Sequence, residues 1–149
     1  MLRLLDSSKP EFYRAAAVIR EYLPDVIIAP TCKIIESPRR YYGLITPDGC
    51  TVIYDHVIID KFVCNPEFIF KVLTTVFQFG GIMNTFVERD NTASRHFLDG
   101  LGFVHTGFLR QDTILEIYSM TVQEWENNRV RRHFIEKQTQ KETTRSGIA

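Results

Sequence analysis

The chain has 149 residues, 44% of them hydrophobic, 12% aromatic and 24% charged, with a formal net charge of zero. That length suits one domain around one core, and the composition excludes disordered and collagen-like chains. Charge is uneven nonetheless: from Arg129 onward six lysines and arginines face two glutamates, a net +4, and the preceding part carries −4. A solvated helix end accounts for that basic stretch, and a contact with an acidic surface or nucleic acid is the alternative.

Met1 to Leu5 is a short apolar segment interrupted by Arg3, which suits an edge strand. Ser8, Lys9, Pro10 and Glu11 read as a capping box with a proline at the start of a helix. Phe12, Ala15, Ala16, Ile19 and Leu23 continue at helical spacing until Pro24. Asp25 to Thr31 is ambiguous between a helical turn and a buried extended piece. Lys33–Glu36, Tyr41–Thr46 and Thr51–Ile59 read as three strands, and their short connections, one of them Pro47-Asp48-Gly49, predict a meander.

Asn65, Pro66 and Glu67 mark a second helix start with a capping side chain, a proline and an acid facing the helix dipole. That helix is expected to reach about Phe79 and to pack deeply, because Ile69, Val72, Leu73, Val76 and Phe77 cover more than one stripe. A strand over Ile82–Val87 follows, then a short helix over Thr92–Leu101 closed by Gly102. Val104–Leu109 and Ile114–Met120 read as two final strands, and Gln123 to about Glu136 as a terminal helix carrying Trp125. The domain is thus expected over 1–136. The polar tail 137–149, without an apolar period, is expected to be mobile alone or ordered by a protein partner.

Several chemistries find no pattern here. Cys32, Cys50 and Cys64 match neither a disulfide framework nor a zinc spacing and read as small buried thiols. His56, His96, His105 and His133 are scattered, so no metal site is expected. No G-x-S-x-G elbow exists to place a nucleophile beside Asp55 and His56. Arg39-Arg40-Tyr41-Tyr42 and the Arg129–His133 segment mix basic and aromatic residues as nucleic-acid surfaces do, but a turn and a helix end show the same, so nucleic-acid binding ranks low. The first residues lack a basic region followed by a long apolar run, and no stretch reaches the roughly 18 apolar residues of a membrane span. The expected location is therefore cytoplasmic.

The most specific stretch runs from Asn91-Thr92-Ala93-Ser94-Arg95-His96-Phe97-Leu98-Asp99-Gly100-Leu101-Gly102-Phe103 through Thr106-Gly107, Arg110, Tyr118-Ser119-Met120 and Trp125. It resembles the second half of the Gcn5-related N-acetyltransferases (GNAT), in which an asparagine ends a strand, a short helix closes on Leu-Gly-Phe, and two strands follow. The upstream order of elements is similar too, so the resemblance covers about Met1 to Trp125. It implies an α+β fold, a central mixed, mostly antiparallel sheet flanked by helices, with acetyl-CoA as the acyl donor and an amine as the acceptor.

By position the resemblance points to Asn91, Ser94 and Asn65 for cofactor binding, and Asn91 also reads as a plain helix cap. It points to the fourth strand for a general base. Asp55, His56 and Asp60 are the ionisable groups there, and strand alternation puts Asp55 and His56 on opposite faces. His56 has the intrinsic pKa suited to neutral pH, and His56 with Asp60 are the catalytic candidates. Each reads first as an exposed strand residue and only second as a base.

The sequence departs from the family twice. Relatives hold the coenzyme pyrophosphate on a glycine-rich loop at a helix start, whereas Asp60-Lys61-Phe62-Val63-Cys64-Asn65-Pro66-Glu67 has no glycine, loses an amide donor at Pro66 and adds a negative charge at Glu67. The position of the frequent general-acid tyrosine is taken by Leu98, which cannot donate a proton. Small phage-encoded relatives show comparable departures. A non-catalytic assembly module, for example a virion component with its tail on a partner, is therefore the alternative to an acetyl-CoA-dependent N-acetyltransferase.

Overall fold

A computed structural model describes residues 2–38, 40–59 and 65–147, except for the side chains of 142–147. Asp60 and Cys64, two of the residues singled out above, lie outside the described residues, as does Arg39. Among the described residues seven strands form one sheet: β1 (Arg3–Leu5), β2 (Lys33–Ser37), β3 (Tyr41–Asp48), β4 (Thr51–Ile58), β5 (Ile82–Glu88), β6 (Val104–Arg110) and β7 (Ile114–Thr121). Their spatial order is β1-β2-β3-β4-β5-β7-β6. Every neighbouring pair is antiparallel except β4 with β5. The expected α+β class, a mixed and mostly antiparallel sheet with helices against it, is the observed one.

Among the described residues five helices accompany the sheet: α1 (Pro10–Tyr22), α2 (Pro66–Val76), α3 (Thr92–Leu101), α4 (Val122–Glu126) and α5 (Arg129–Gly147). Side-chain alternation along the strands sorts them onto two faces. Ile34 and Leu44 turn toward Phe12, Ala15, Ala16 and Ile19 of α1, and Cys32 is buried with them. Ile35, Ile45, Val52 and Met83 turn the other way, against Val72, Leu73 and Val76 of α2, Leu101 of α3 and Trp125 of α4. A parallel β4–β5 pair needs a crossover, and α2 provides it.

Four local expectations need correction. The Ser8–Glu11 capping box does not form: the N-cap of α1 is Lys9, without a side-chain cap. Ser8 instead gives both its backbone N–H and its hydroxyl to Asp6 Oδ1, an Asx-type turn that competes with the cap. Asp25 to Thr31 forms neither helix nor strand. Cys50 is exposed in the turn between β3 and β4, whereas Cys32 is buried as expected.

The fourth correction concerns the C-terminal helix, which breaks in two at Asn127 and Asn128. Asn128 Oδ1 accepts the N–H groups of Val130 and Arg131, capping α5, and its Nδ2 donates to Leu101 O at 2.6 Å. A residue able to satisfy a new helix start and an orphan carbonyl of α3 together favours a break over a continuous helix. Phe134 stacks on Phe70 at 4.5 Å between ring centroids, anchoring α5 to α2. Past Glu136 the backbone remains helical to Gly147. Lys, Gln, Glu and Arg are good helix formers, and extending a nucleated helix is far cheaper than starting one.

Candidate active site

β4 and β5 are paired only from Thr51↔Ile82 to Tyr54↔Thr85. Beyond that rung β4 stays on β3 as far as Ile58↔Tyr41, and β5 stays on β7 as far as Glu88↔Leu115. The two halves of the sheet therefore diverge after Tyr54. The Thr85 hydroxyl donates to Tyr54 O at 2.9 Å, taking that carbonyl where the parallel ladder ends. The divergence leaves a wedge-shaped cleft with Asp55–Ile58 on one wall and Phe86–Glu88 on the other, both presenting strand edges.

His56 stands on the β4 wall, two residues past the last rung. Its ring lies nearly parallel to Tyr41, 5.9 Å away, and to Tyr54, 6.3 Å away. Beneath it the hydroxyls of Tyr41 and Tyr54 meet, and Phe68 of α2 contacts Tyr41 edge-on at 4.9 Å. Gly43 faces His56 across the β3–β4 register, and a Cβ at Gly43 would lie within 3 Å of three Tyr54 ring and hydroxyl atoms. Only glycine lets the Tyr54 ring lie flat there. The His56 ring is exposed at the surface, yet the groups crowding its flanks remove water from the charged form, and this desolvation lowers its pKa from the ordinary 6.5. It is thus poised as a neutral imidazole at neutral pH. Asp55 points to the other face, as alternation requires, and there burial raises its pKa.

The other proposed contacts cap helices. Asn65 Oδ1 accepts the Phe68 N–H at 2.8 Å and starts α2. Asn91 Oδ1 accepts the Ser94 N–H at 3.1 Å and starts α3, just past the open end of β5. The structure thus joins Asn91 and Ser94. Among the described residues no hydrogen bond or ring contact links either of them, or Asn65, to His56. Glu67 is paired with Lys71 at 3.0 Å, which lowers its pKa and offsets part of the repulsion expected from its charge. Of the Arg39–Tyr42 cluster, Tyr41 is buried in the core.

No protein-family model and no curated protein matches the chain. Solved structures do. A ribosomal-protein-alanine N-acetyltransferase from Brucella melitensis superposes with a TM-score of 0.60 at 8% identity, over 82% of this chain and 99% of that one. A chimera of spermidine N-acetyltransferase SpeG from Vibrio cholerae and hSSAT gives 0.63 at 11% identity, over 84% and 98%. yncA from Salmonella typhimurium, solved with acetyl-CoA as its cofactor, gives 0.56 at 13% identity, over 82% and 93%. The fold is that of the Gcn5-related N-acetyltransferases. At these identities the likeness is one of fold, and the site must be argued from this chain's own residues.

Within this acetyltransferase fold, Leu98 packs partly buried against the core, so no proton donor stands at its position on α3. A cluster that the sequence did not disclose lies under α3 instead. Glu116 on β7, its side chain 2% exposed, accepts Arg89 Nε on Oε1 and meets His105 Nε2 on Oε2, each at 2.5 Å. Arg95 Nε donates to the Tyr118 hydroxyl at 3.1 Å, and its Nη1 to Arg89 O. These residues come from three elements and the β5–α3 connection, and the one available signal was a lone charged residue in a largely apolar strand. The hydrogen bond from Arg89, and secondarily that from His105, holds the Glu116 carboxyl below its ordinary 4.5.

A depressed carboxylate contributes stability above the unfolded-state pKa and loses it as pH falls through the folded value. Thermal unfolding followed from pH 7 downward should show melting temperature dropping below about pH 4.5. Glu116→Gln should lower melting at pH 7, because Arg89 loses its buried partner, and should flatten the acid-side drop. An unaltered acid limb in that variant would place the titrating group elsewhere.

No helix among the described residues is long and apolar enough to cross a membrane. No group of three or more His, Cys, Asp or Glu among them could hold a metal ion.

Proposed function

We infer that this protein is an acetyl-CoA-dependent N-acetyltransferase acting on a primary amine. The observation that carries the reading is the divergence of β4 from β5 after Tyr54, with a neutral histidine on the β4 wall of the resulting cleft. Strand edges at Asp55–Ile58 offer N–H and C=O groups that an amide-bearing pantetheine arm can pair with as an added strand would. Asn91 and Ser94, at the open end of β5, supply further polar contacts for that arm. Asn65 is less suited, since its carboxamide oxygen is committed to the α2 cap. Asp60, which lies outside the described residues, is kept as the second proposed ionisable group of the site. The named neighbours include N-acetyltransferases and a complex with acetyl-CoA, which supports this reading over a non-catalytic assembly role.

Bound acetyl-CoA would supply an acyl group on a thioester, a carbonyl activated toward amines. The chain's own contribution is to align amine and thioester in the cleft and to receive a proton. As the amine nitrogen bonds to the carbonyl carbon, His56 accepts the proton that the nitrogen must lose. Leu98 has no proton to give, so the thiolate released as the carbon–sulfur bond breaks would take its proton from solvent.

Titration calorimetry with acetyl-CoA, followed by thiol release in the presence of polyamines and peptide N-termini, tests the proposal. Acetyl-CoA binding with amine-dependent thiol release is the expected result. No detectable binding at millimolar ligand overturns the reading.

A further inference from the structure

A cavity of about 670 Å³ lies where α5 passes the first residue of α2 and the last turn of α3. It is lined by Pro66, Gly100, Arg129, Val130, Arg132, His133 and Glu136. The α5 members recur at three- and four-residue steps, so one helix face spanning about 10 Å forms the long wall. Two arginines and a histidine line this space with a single glutamate.

Two features of that wall are unexplained by the fold. Among the described residues, neither Arg129, Arg132 nor His133 forms an ion pair, whereas Arg3, Lys71 and Arg89 each meet a glutamate. Arg132 donates one N–H to Asn127 O at 3.2 Å, leaving most of its fork unengaged. Gly100 sits in the last turn of α3, where glycine is a weaker helix former than alanine. Yet a Cβ there would meet no atom within 4 Å, so the chain's own packing gives no reason for glycine. A bare helix wall facing unpaired guanidinium groups is suited to the close approach of an anionic ligand.

We propose that this groove binds the phosphate end of a nucleotide, with Arg129 and Arg132 clamping phosphate oxygens, His133 adding a donor, and Pro66, Gly100 and Val130 receiving the apolar face of the base. The inference rests in part on the acetyltransferase reading, under which the ligand is the adenosine 3′,5′-bisphosphate end of the coenzyme. α5 then supplies phosphate contacts that the glycine-free start of α2 lacks, Pro66 having no N–H to offer. Guanidinium groups suit this task because their planar fork matches two phosphate oxygens at once.

Calorimetry on the full chain with adenosine 3′,5′-bisphosphate, inorganic pyrophosphate and acetyl-CoA tests the groove apart from any activity. The bisphosphate is expected to bind more tightly than pyrophosphate, because only it carries a base. Arg129→Gln with Arg132→Gln should weaken bisphosphate binding roughly 10- to 100-fold, the loss of charge-assisted hydrogen bonds. Gly100→Leu fills the wall without an internal clash and should weaken it independently, with melting temperature checking that each variant is folded. If the bisphosphate binds and acetyl-CoA does not, the groove stands and the acetyltransferase reading falls. If acetyl-CoA binds equally to the unmodified chain and the double variant, the groove proposal falls and the acetyltransferase reading stands. Absence of bisphosphate binding, or binding indifferent to both variants, overturns the groove proposal.

Discussion

Replacing His56 with alanine is expected to lower kcat/KM for amine acetylation about 10²- to 10⁴-fold, the usual contribution of a positioned general base. Acetyl-CoA affinity should be nearly unchanged, because the imidazole is assigned to the acceptor's proton rather than to the coenzyme. The pH profile gives a sharper readout than the rate alone. Desolvation depresses the His56 pKa, so the acid limb of kcat/KM should fall below the ordinary histidine value of 6.5, and the variant should lose that limb. A packing role through Tyr41 and Tyr54 would instead lower melting temperature while leaving the limb in place. His56→Gln preserves bulk and hydrogen bonding without a basic nitrogen, and separates the two: activity stays low if the base matters and recovers if packing does. An unchanged profile in both variants would remove His56 from the mechanism.

Gly102→Val should destabilise the domain by about 3 kcal/mol, from two sources. Gly102 has φ of 105°, closing α3 in the left-handed region, where a β-branched residue is strained. A Cβ there would also stand 2.9 Å from Asn128 Nδ2, the atom that donates to Leu101 O. The substitution thus strains a helix end and displaces the side chain that joins α3 to the start of α5. For a chain of this size the melting temperature should fall by roughly 10 °C. Asn128→Ala removes the junction but leaves the backbone of Gly102 relaxed, and should cost less. Combining the two should cost less than their sum, because both remove the Asn128–Leu101 bond. A Gly102→Val midpoint equal to the unmodified protein's would rule out strain at this cap.

Much of the fold was legible because it depends on signals local in sequence. Pro66 after Asn65 starts α2, and Gly102 after Leu101 ends α3, since caps and left-handed residues act within a few positions. Alternation in Lys33–Ser37, Tyr41–Asp48 and Thr51–Ile58 disclosed the strands, and their short turns the meander. Local signals also misled where two of them competed: Ser8 could cap α1 or close a turn on Asp6, and spacing alone does not rank those bonds. The break at Asn127 and Asn128 escaped for a different reason. Its gain comes from Leu101 O, 27 residues away in the chain.

The candidate site divides along the same line. His56 could be named as a candidate from its residue type and its place on the fourth strand, because intrinsic pKa and strand parity belong to the sequence. Its depressed pKa, the end of the β4–β5 ladder beside it, the Arg89–Glu116–His105 cluster and the groove beside α5 were decided only by tertiary structure. Each depends on groups from separate elements meeting at a few ångströms. Desolvation and ion pairing fall off steeply with distance, so a linear spacing carries little information about them. The sequence by itself determined which residues could titrate, cap or turn, and packing decided which of them share a cleft.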